Sequence, residues 1–177
     1  MKRNAQSLIE TIVAIGMITV AIVAILAVGL SNLMLSGQTS ERVVATNLAR
    51  EGIEIINAVR SSQRLDPEQI WPYGMTNGNW IVDYDDSSLT AADSATIDLC
   101  NNCILYITSN DVYTRDSGSN TLTIYRRLIN ISSGDALGGN CPALPGDCEK
   151  IITSTVYWTE RGRPHSIELE THLTDWR

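Results

Sequence analysis

Histidine is almost missing from this chain. His165 and His172 are the only two among 177 residues, and His172 falls on what reads as the polar side of a strand, where solvation is expected. No Gly-X-Ser-X-Gly elbow, phosphate-binding glycine loop or metalloprotease histidine pair occurs. The residues therefore give no reason to read an enzyme, and no catalytic residue, cofactor or resident metal is expected. Basic residues are scarce too. Lys and Arg number 13 against 20 Asp and Glu, for a net charge of −7. Binding along a nucleic-acid backbone depends on clustered Lys and Arg, so nucleic acid is not an expected partner. Arg126-Arg127 is a local basic pair, of a kind more often solvated or salt-bridged on a strand.

The third absence is the most informative. Residues 11–40 contain no Asp, Glu, Lys or Arg, and they follow a lone carboxylate, Glu10, and a small basic head, Lys2 and Arg3. At ~1.5 Å per helical residue this run exceeds the ~20 residues that cross a ~30 Å hydrocarbon layer. Basic residues ahead of such a run hold the N-terminus in the cytoplasm, which exports everything after it. A cleaved secretory signal has the same order of parts. Here, however, the apolar run is longer than the usual signal core, carries Glu10 at its head, and continues without a breaker into a helical pattern at 41–61.

The six residues Ala5-Gln6-Ser7-Leu8-Ile9-Glu10, behind a basic leader and ahead of that run, resemble the Gly-Phe-Thr-Leu-Ile-Glu-like motif of the type IV prepilin family, which includes the pseudopilins of type II secretion and competence systems. Ala5 stands where the commonest pattern has Gly, and Gln6 where it has Phe. The resemblance covers roughly residues 2–35 and is architectural beyond them. It implies cleavage between Ala5 and Gln6 by a prepilin peptidase on the cytoplasmic side, N-methylation of the new Gln6 amine, and an assembly role for Glu10, fifth residue of the mature chain. The implied partners are other pilins or pseudopilins in a helical filament, an inner-membrane assembly platform and membrane lipid. The implied location is the bacterial cytoplasmic membrane, crossed once with the N-terminus inside, and then an extracytoplasmic filament. Cleavage would also take the chain to 11 basic against 20 acidic residues, a formal −9 before the new amine is counted.

The physics of Glu10 leads the same way. A carboxylate at hydrocarbon depth costs up to ~2.5 kcal/mol or more on insertion scales and so needs a partner. The amine created at Gln6 lies four residues away on the same helical face, and a neighbour's amine could serve equally. The plainer reading is that Glu10 snorkels to the headgroups of an ordinary signal anchor.

From residue 41 the pattern becomes one-sided. Val44, Leu48, Gly52, Ile55 and Val59 recur at helical spacing among polar positions such as Arg42, Arg50, Glu54 and Arg60. One helix is expected from about residue 7 to about 61. Gly16, Gly29, Gly37 and Gly52 within it suit either close packing of neighbouring subunits or simple tolerance. Leu65-Asp66-Pro67 ends the pattern. The aromatic Trp71, Tyr73 and Trp80 then lie in a connecting loop, either covering a core or forming a stacking surface. Asp83-Tyr84-Asp85-Asp86 offers hard oxygens but lacks the glycine and distal glutamate of a calcium loop. Strands are expected at 121–131 and 151–159, and a hairpin at Arg161-Gly162-Arg163-Pro164 leads into a last strand in which Ile167, Leu169, Thr171 and Leu173 alternate with polar residues. Shorter extended pieces at 80–84 and Ile104–Ile107 complete or flank the sheet.

The expected class is α+β and type IV pilin-like: one long N-terminal helix, its first half transmembrane, packed on a small antiparallel β-sheet domain. The expected organisation is a leader at 1–5, an assembly helix at 6–40 and a globular domain at 41–177, long enough for one core. Cys100, Cys103, Cys141 and Cys148 all follow the apolar run, and an even count in an exported chain suggests two disulfides. Cys100–Cys103 with Cys141–Cys148 is the favoured pairing among three. A redox Cys-X-X-Cys centre would open a helix instead of preceding a strand, and a zinc site would normally have a narrower second spacing. The competing function is a membrane-anchored extracytoplasmic binding protein with an uncleaved anchor, meeting a ligand through the aromatic region at 71–80 or through its acidic face.

Overall fold

The computed structural model of the protein describes residues 3–66, 68, 71–134 and 149–174, with side chains described for 8–32 and, within those stretches, from 39 onward. Helix α1 spans Arg3–Arg64, and the chain divides into two compact units between Glu41 and Arg42. The first unit holds the apolar stretch of the helix. Leu8–Asn32 has a mean hydropathy of 2.8, is long and apolar enough to cross a membrane, and has no residue buried within the molecule.

The second unit joins the amphipathic part of α1 to a seven-stranded, wholly antiparallel sheet. The strands are β1 (Gly78–Ile81), β2 (Thr90–Ala91), β3 (Ile104–Ile107), β4 (Tyr113–Thr114), β5 (Thr121–Gly134), β6 (Glu149–Glu160) and β7 (Arg163–Thr174). The long β5 is the hinge of the arrangement. Along one edge it pairs with β6 from Arg126 to Gly134, and β6 pairs in turn with the whole of β7. Two short hairpins share its other edge: β1 and β2 opposite 129–131, and β3 and β4 opposite 121–126. The chain is therefore α+β, an apolar N-terminal helix followed by a separate antiparallel sheet.

Alternation along the strands sorts the core. Tyr125, Arg127, Ile129 and Ile131 of β5 are buried, as are Ile152, Ser154, Val156 and Trp158 of β6. In α1 the buried set is Ala45, Leu48, Ala49, Gly52, Ile55, Ile56 and Val59, which is the one-sided stripe the sequence carries. Each fully buried aliphatic side chain contributes ~1.5–3 kcal/mol. Gly52 marks the closest approach of helix and sheet: a Cβ there would stand 2.7 Å from Ser154 Oγ, 3.0 Å from Ile129 Cδ1 and 3.1 Å from Arg127 Cδ. Its missing side chain serves the domain's own packing and is not free for a neighbouring subunit.

The strands run a few residues longer than the sequence suggests at β5, β6 and β7, and β2 and β4 carry no sequence signal at two residues each. The final hairpin is tighter than expected. Arg161 and Gly162 alone form the turn, with φ of 49° and 77°, while Arg163 and Pro164 already pair with Glu160 and Thr159. Positive φ at both central residues is what a two-residue type I′ turn requires.

Candidate functional site

Ala5, Gln6 and Glu10 lie together on the first turns of α1. Gln6 and Glu10 are four residues apart, hence about one turn, and Glu10 is exposed. Beyond Glu10 the apolar side chains point outward: Val20 and Ile25 are each 71% exposed. Two hydroxyls in this stretch are satisfied within the helix. Thr19 Oγ1 donates to the Gly16 carbonyl at 2.9 Å and Ser31 Oγ to the Ala27 carbonyl at 3.0 Å, leaving those donors no need of water. Gly16 and Gly29 have no atom within 4 Å of where a Cβ would stand.

Cys100 and Cys103 form a disulfide with Cα atoms 5.3 Å apart. Both are fully buried, packed with Ile81 and Leu128 on the sheet face opposite α1. Asp93 fixes this turn by accepting from the backbone N–H groups of Asn101 and Asn102, and Arg126 donates to the carbonyls of Asp98 and Cys100. Cys141 and Cys148 lie outside the described residues.

The two adjacent arginines do not form a basic patch. Alternation along β5 sends them to opposite faces. Arg127, 2% exposed, donates to the Leu48 carbonyl at 3.1 Å and the Val82 carbonyl at 3.0 Å, and pairs with Glu51 at 3.1 Å. It ties helix, sheet and the segment after β1 together in the space above Gly52. No local pattern along the chain marks this buried role.

Trp71 and Tyr73 are core residues, 3% and 4% exposed. They meet edge-to-face at 5.8 Å, and the Arg60 guanidinium sits 5.5 Å from the Trp71 ring centre. Trp80 is half-buried against the same cluster. These rings are not a free stacking surface. Asp83 is equally committed: it accepts from Thr114 Oγ1, the Arg115 N–H and the Tyr84 N–H. Asp86 pairs with Arg115 at 2.7 Å. Among the described residues no group of three His, Cys, Asp or Glu side chains is placed to hold a metal ion.

His172 is exposed, as its place on the polar side of β7 leads one to expect, and it has two carboxylate neighbours. It bridges Glu149 at 2.5 Å and Glu170 at 3.0 Å. The Glu149 hydrogen bond, and then that of Glu170, raise its pKa above the ordinary imidazole value of 6.5, against a smaller opposing effect of desolvation. Glu149 is 4% exposed, so the protonated ring lies beside a carboxylate largely removed from water. Comparison with protein-family models, with curated proteins and with solved structures returns no match to this chain.

Proposed function

We propose that this chain is a pilin-like filament subunit, a minor pilin or pseudopilin of a type IV pilus, type II secretion or competence system. On this reading a prepilin peptidase cuts between Ala5 and Gln6 and methylates the Gln6 amine, and the subunit assembles through the N-terminal half of α1. One observation carries the reading. The Ser-Leu-Ile-Glu sequence behind a small residue heads a helix that is charge-free from Thr11 to Asn32 and outward-facing there, yet continues unbroken to Arg64 and packs its later turns on an antiparallel sheet.

The proposed mechanism follows from the change of surroundings. In the membrane, lipid covers the Leu8–Asn32 side chains; in a filament, the same surface of other copies replaces lipid. Apolar burial is nearly unchanged by that exchange, so the groups that decide it are polar. Glu10 is the only carboxylate in the first 40 residues, and the amine created at Gln6 answers it. An unpartnered buried charge costs several kcal/mol, which selects helix registers that bring amine and carboxylate together. The domain beginning at Arg42 stays outside the membrane throughout. The subunit is proposed to act without catalysis.

The test follows the chain in its producing cells with an antibody to the domain. Signal in the sheared surface-filament fraction, lost when the prepilin peptidase is deleted, is the expected result. A chain held in the membrane fraction in both strains contradicts the reading and favours the uncleaved anchor.

A further inference from the structure

Several cations of the domain are occupied internally. Arg115 pairs with Asp86 and Arg127 with Glu51, Arg126 and Arg60 donate to backbone carbonyls, and Lys150 donates to Asn77 and Ser133. Arg161 and Arg163 are not, nor are the exposed Arg42 and Arg50 on α1. The first two are exposed, at the tip of the β6–β7 hairpin, and neither has a partner among the described residues. The type I′ turn projects them from a rigid two-strand support.

A second hairpin tip lies at the same end of the sheet. The register places Ile107 opposite both Thr121 and Tyr113, so the β3–β4 turn projects where β5 begins, level with the β6–β7 turn. Strand order puts β7 at one lateral margin and β4 at the other. The β4 margin carries Asp111 and Val112 on its turn and Tyr84 and Asp85 on the segment beside it, joined to β4 by the Asp83–Thr114 hydrogen bond. All four are exposed, Tyr84 by 58% and Val112 by 40%, and the carboxylates of Asp85 and Asp111 have no partner among the described residues.

We propose that these margins are complementary halves of one contact, the β6–β7 tip of one copy docking on the Tyr84, Asp85, Asp111 and Val112 margin of a second copy. This deepens the filament reading and rests on it. A surface that meets a different surface of the next copy is heterologous and leaves both ends open, which is the geometry of a growing filament. Arginine suits the task because it pairs with carboxylates and stacks on an exposed tyrosine. Further along β7 the outward residues are Glu168 and Glu170, which repel the acidic margin and confine the contact to the tip.

Lys2 and Lys150 are the only lysines in the chain, so Arg161→Lys with Arg163→Lys places new amines at the tip while keeping its charge. Full-length ¹⁴N- and ¹⁵N-labelled chains of this variant, reconstituted together in vesicles, are treated with a zero-length carbodiimide. Mixed-isotope peptides joining 161 or 163 to Asp85 or Asp111 are the expected product. In the producing host, Arg161→Asp with Arg163→Asp should cut filament yield by about tenfold, in line with like charges facing each other at an interface, and adding Asp85→Arg should restore much of it. Links confined to one isotope, or to other carboxylates, overturn the contact. Normal filaments from the reversed variant overturn it while leaving the filament reading intact. Mixed-isotope links in a chain that never enters filaments keep the contact and remove that reading. Neither links nor filaments removes both.

Discussion

The two halves of α1 make the same backbone and opposite surfaces. Over Leu8–Asn32 the apolar side chains surround the helix and none is buried within the molecule. After Arg42 they narrow to one stripe, and Ala45, Ala49 and Ile56 are wholly covered. Periodicity makes the difference: an all-round apolar helix asks for an apolar surrounding, and a one-sided one asks for its own sheet. The first half encodes an environment and the second encodes a fold. Changes in the first should alter where the chain goes without altering how stable the domain is, and changes in the second should do the reverse.

Glu10→Ala should separate the halves most widely. Removing a charge can only ease membrane entry, so membrane levels should hold, while on the proposed function filament incorporation of a repeating subunit should fall to background because the proposed Gln6 amine would be buried without its carboxylate. The melting temperature of the domain should not move. Undiminished incorporation would sink the pairing mechanism.

The glycines give the next contrast. Gly52→Leu drives atoms into Ser154, Ile129 and Arg127 and should cost the isolated unit from 42 onward about 3 kcal/mol, roughly 12 °C of melting temperature for a unit of this size. Gly16→Leu and Gly29→Leu meet open space and should leave that melt unchanged in the full chain. Equal effects at all three positions would erase the distinction between the halves.

Glu51→Ala leaves the Arg127 guanidinium buried without its counter-ion. Because Glu51 is itself partly exposed, the loss should be about 2 kcal/mol, below the figure for a fully buried pair. Chemical denaturation should show it as a lower midpoint at unchanged slope. Replacing Cys100 and Cys103 by Ser opens a short loop and should cost about 2 kcal/mol. That loss should be indifferent to the presence of residues 8–32, and a larger loss in the full chain would couple the halves.

The smallest effect is pH-dependent. The folded pKa of His172 is raised above 6.5, so its contribution to stability is complete below that unfolded value and fades as pH rises through the folded one. Comparing wild type with His172→Gln should give the widest separation in melting temperature near pH 5.5 and convergence on the alkaline side. A gap that widens as pH rises would reverse the assignment.

What was legible in the sequence follows the same division. The length of the apolar run, the stripe through Leu48, Ile55 and Val59, and the alternation from Ile167 to Leu173 are local patterns, and each matches an element observed. Cys100–Cys103 was readable from a short span. The buried Arg127 depends on Leu48, Glu51 and Val82, which are far apart in sequence, and no local pattern marks it. His172 stands on the solvent side, as alternation along β7 indicates, but alternation says nothing of its neighbours; Glu149 reaches it only through the β6–β7 register. β2 and β4 are set by pairing with longer strands and not by their own two residues. Ala5, Gln6 and Glu10 carry meaning only as a motif, since their proposed partners lie in other molecules.

The N-terminus of the chain extracted from its native membrane tests the filament account most directly. Intact mass measurement with N-terminal peptide sequencing should find residues 1–5 removed and Gln6 carrying a single methyl group on its amine. An intact Met1 on the mature protein would contradict the account.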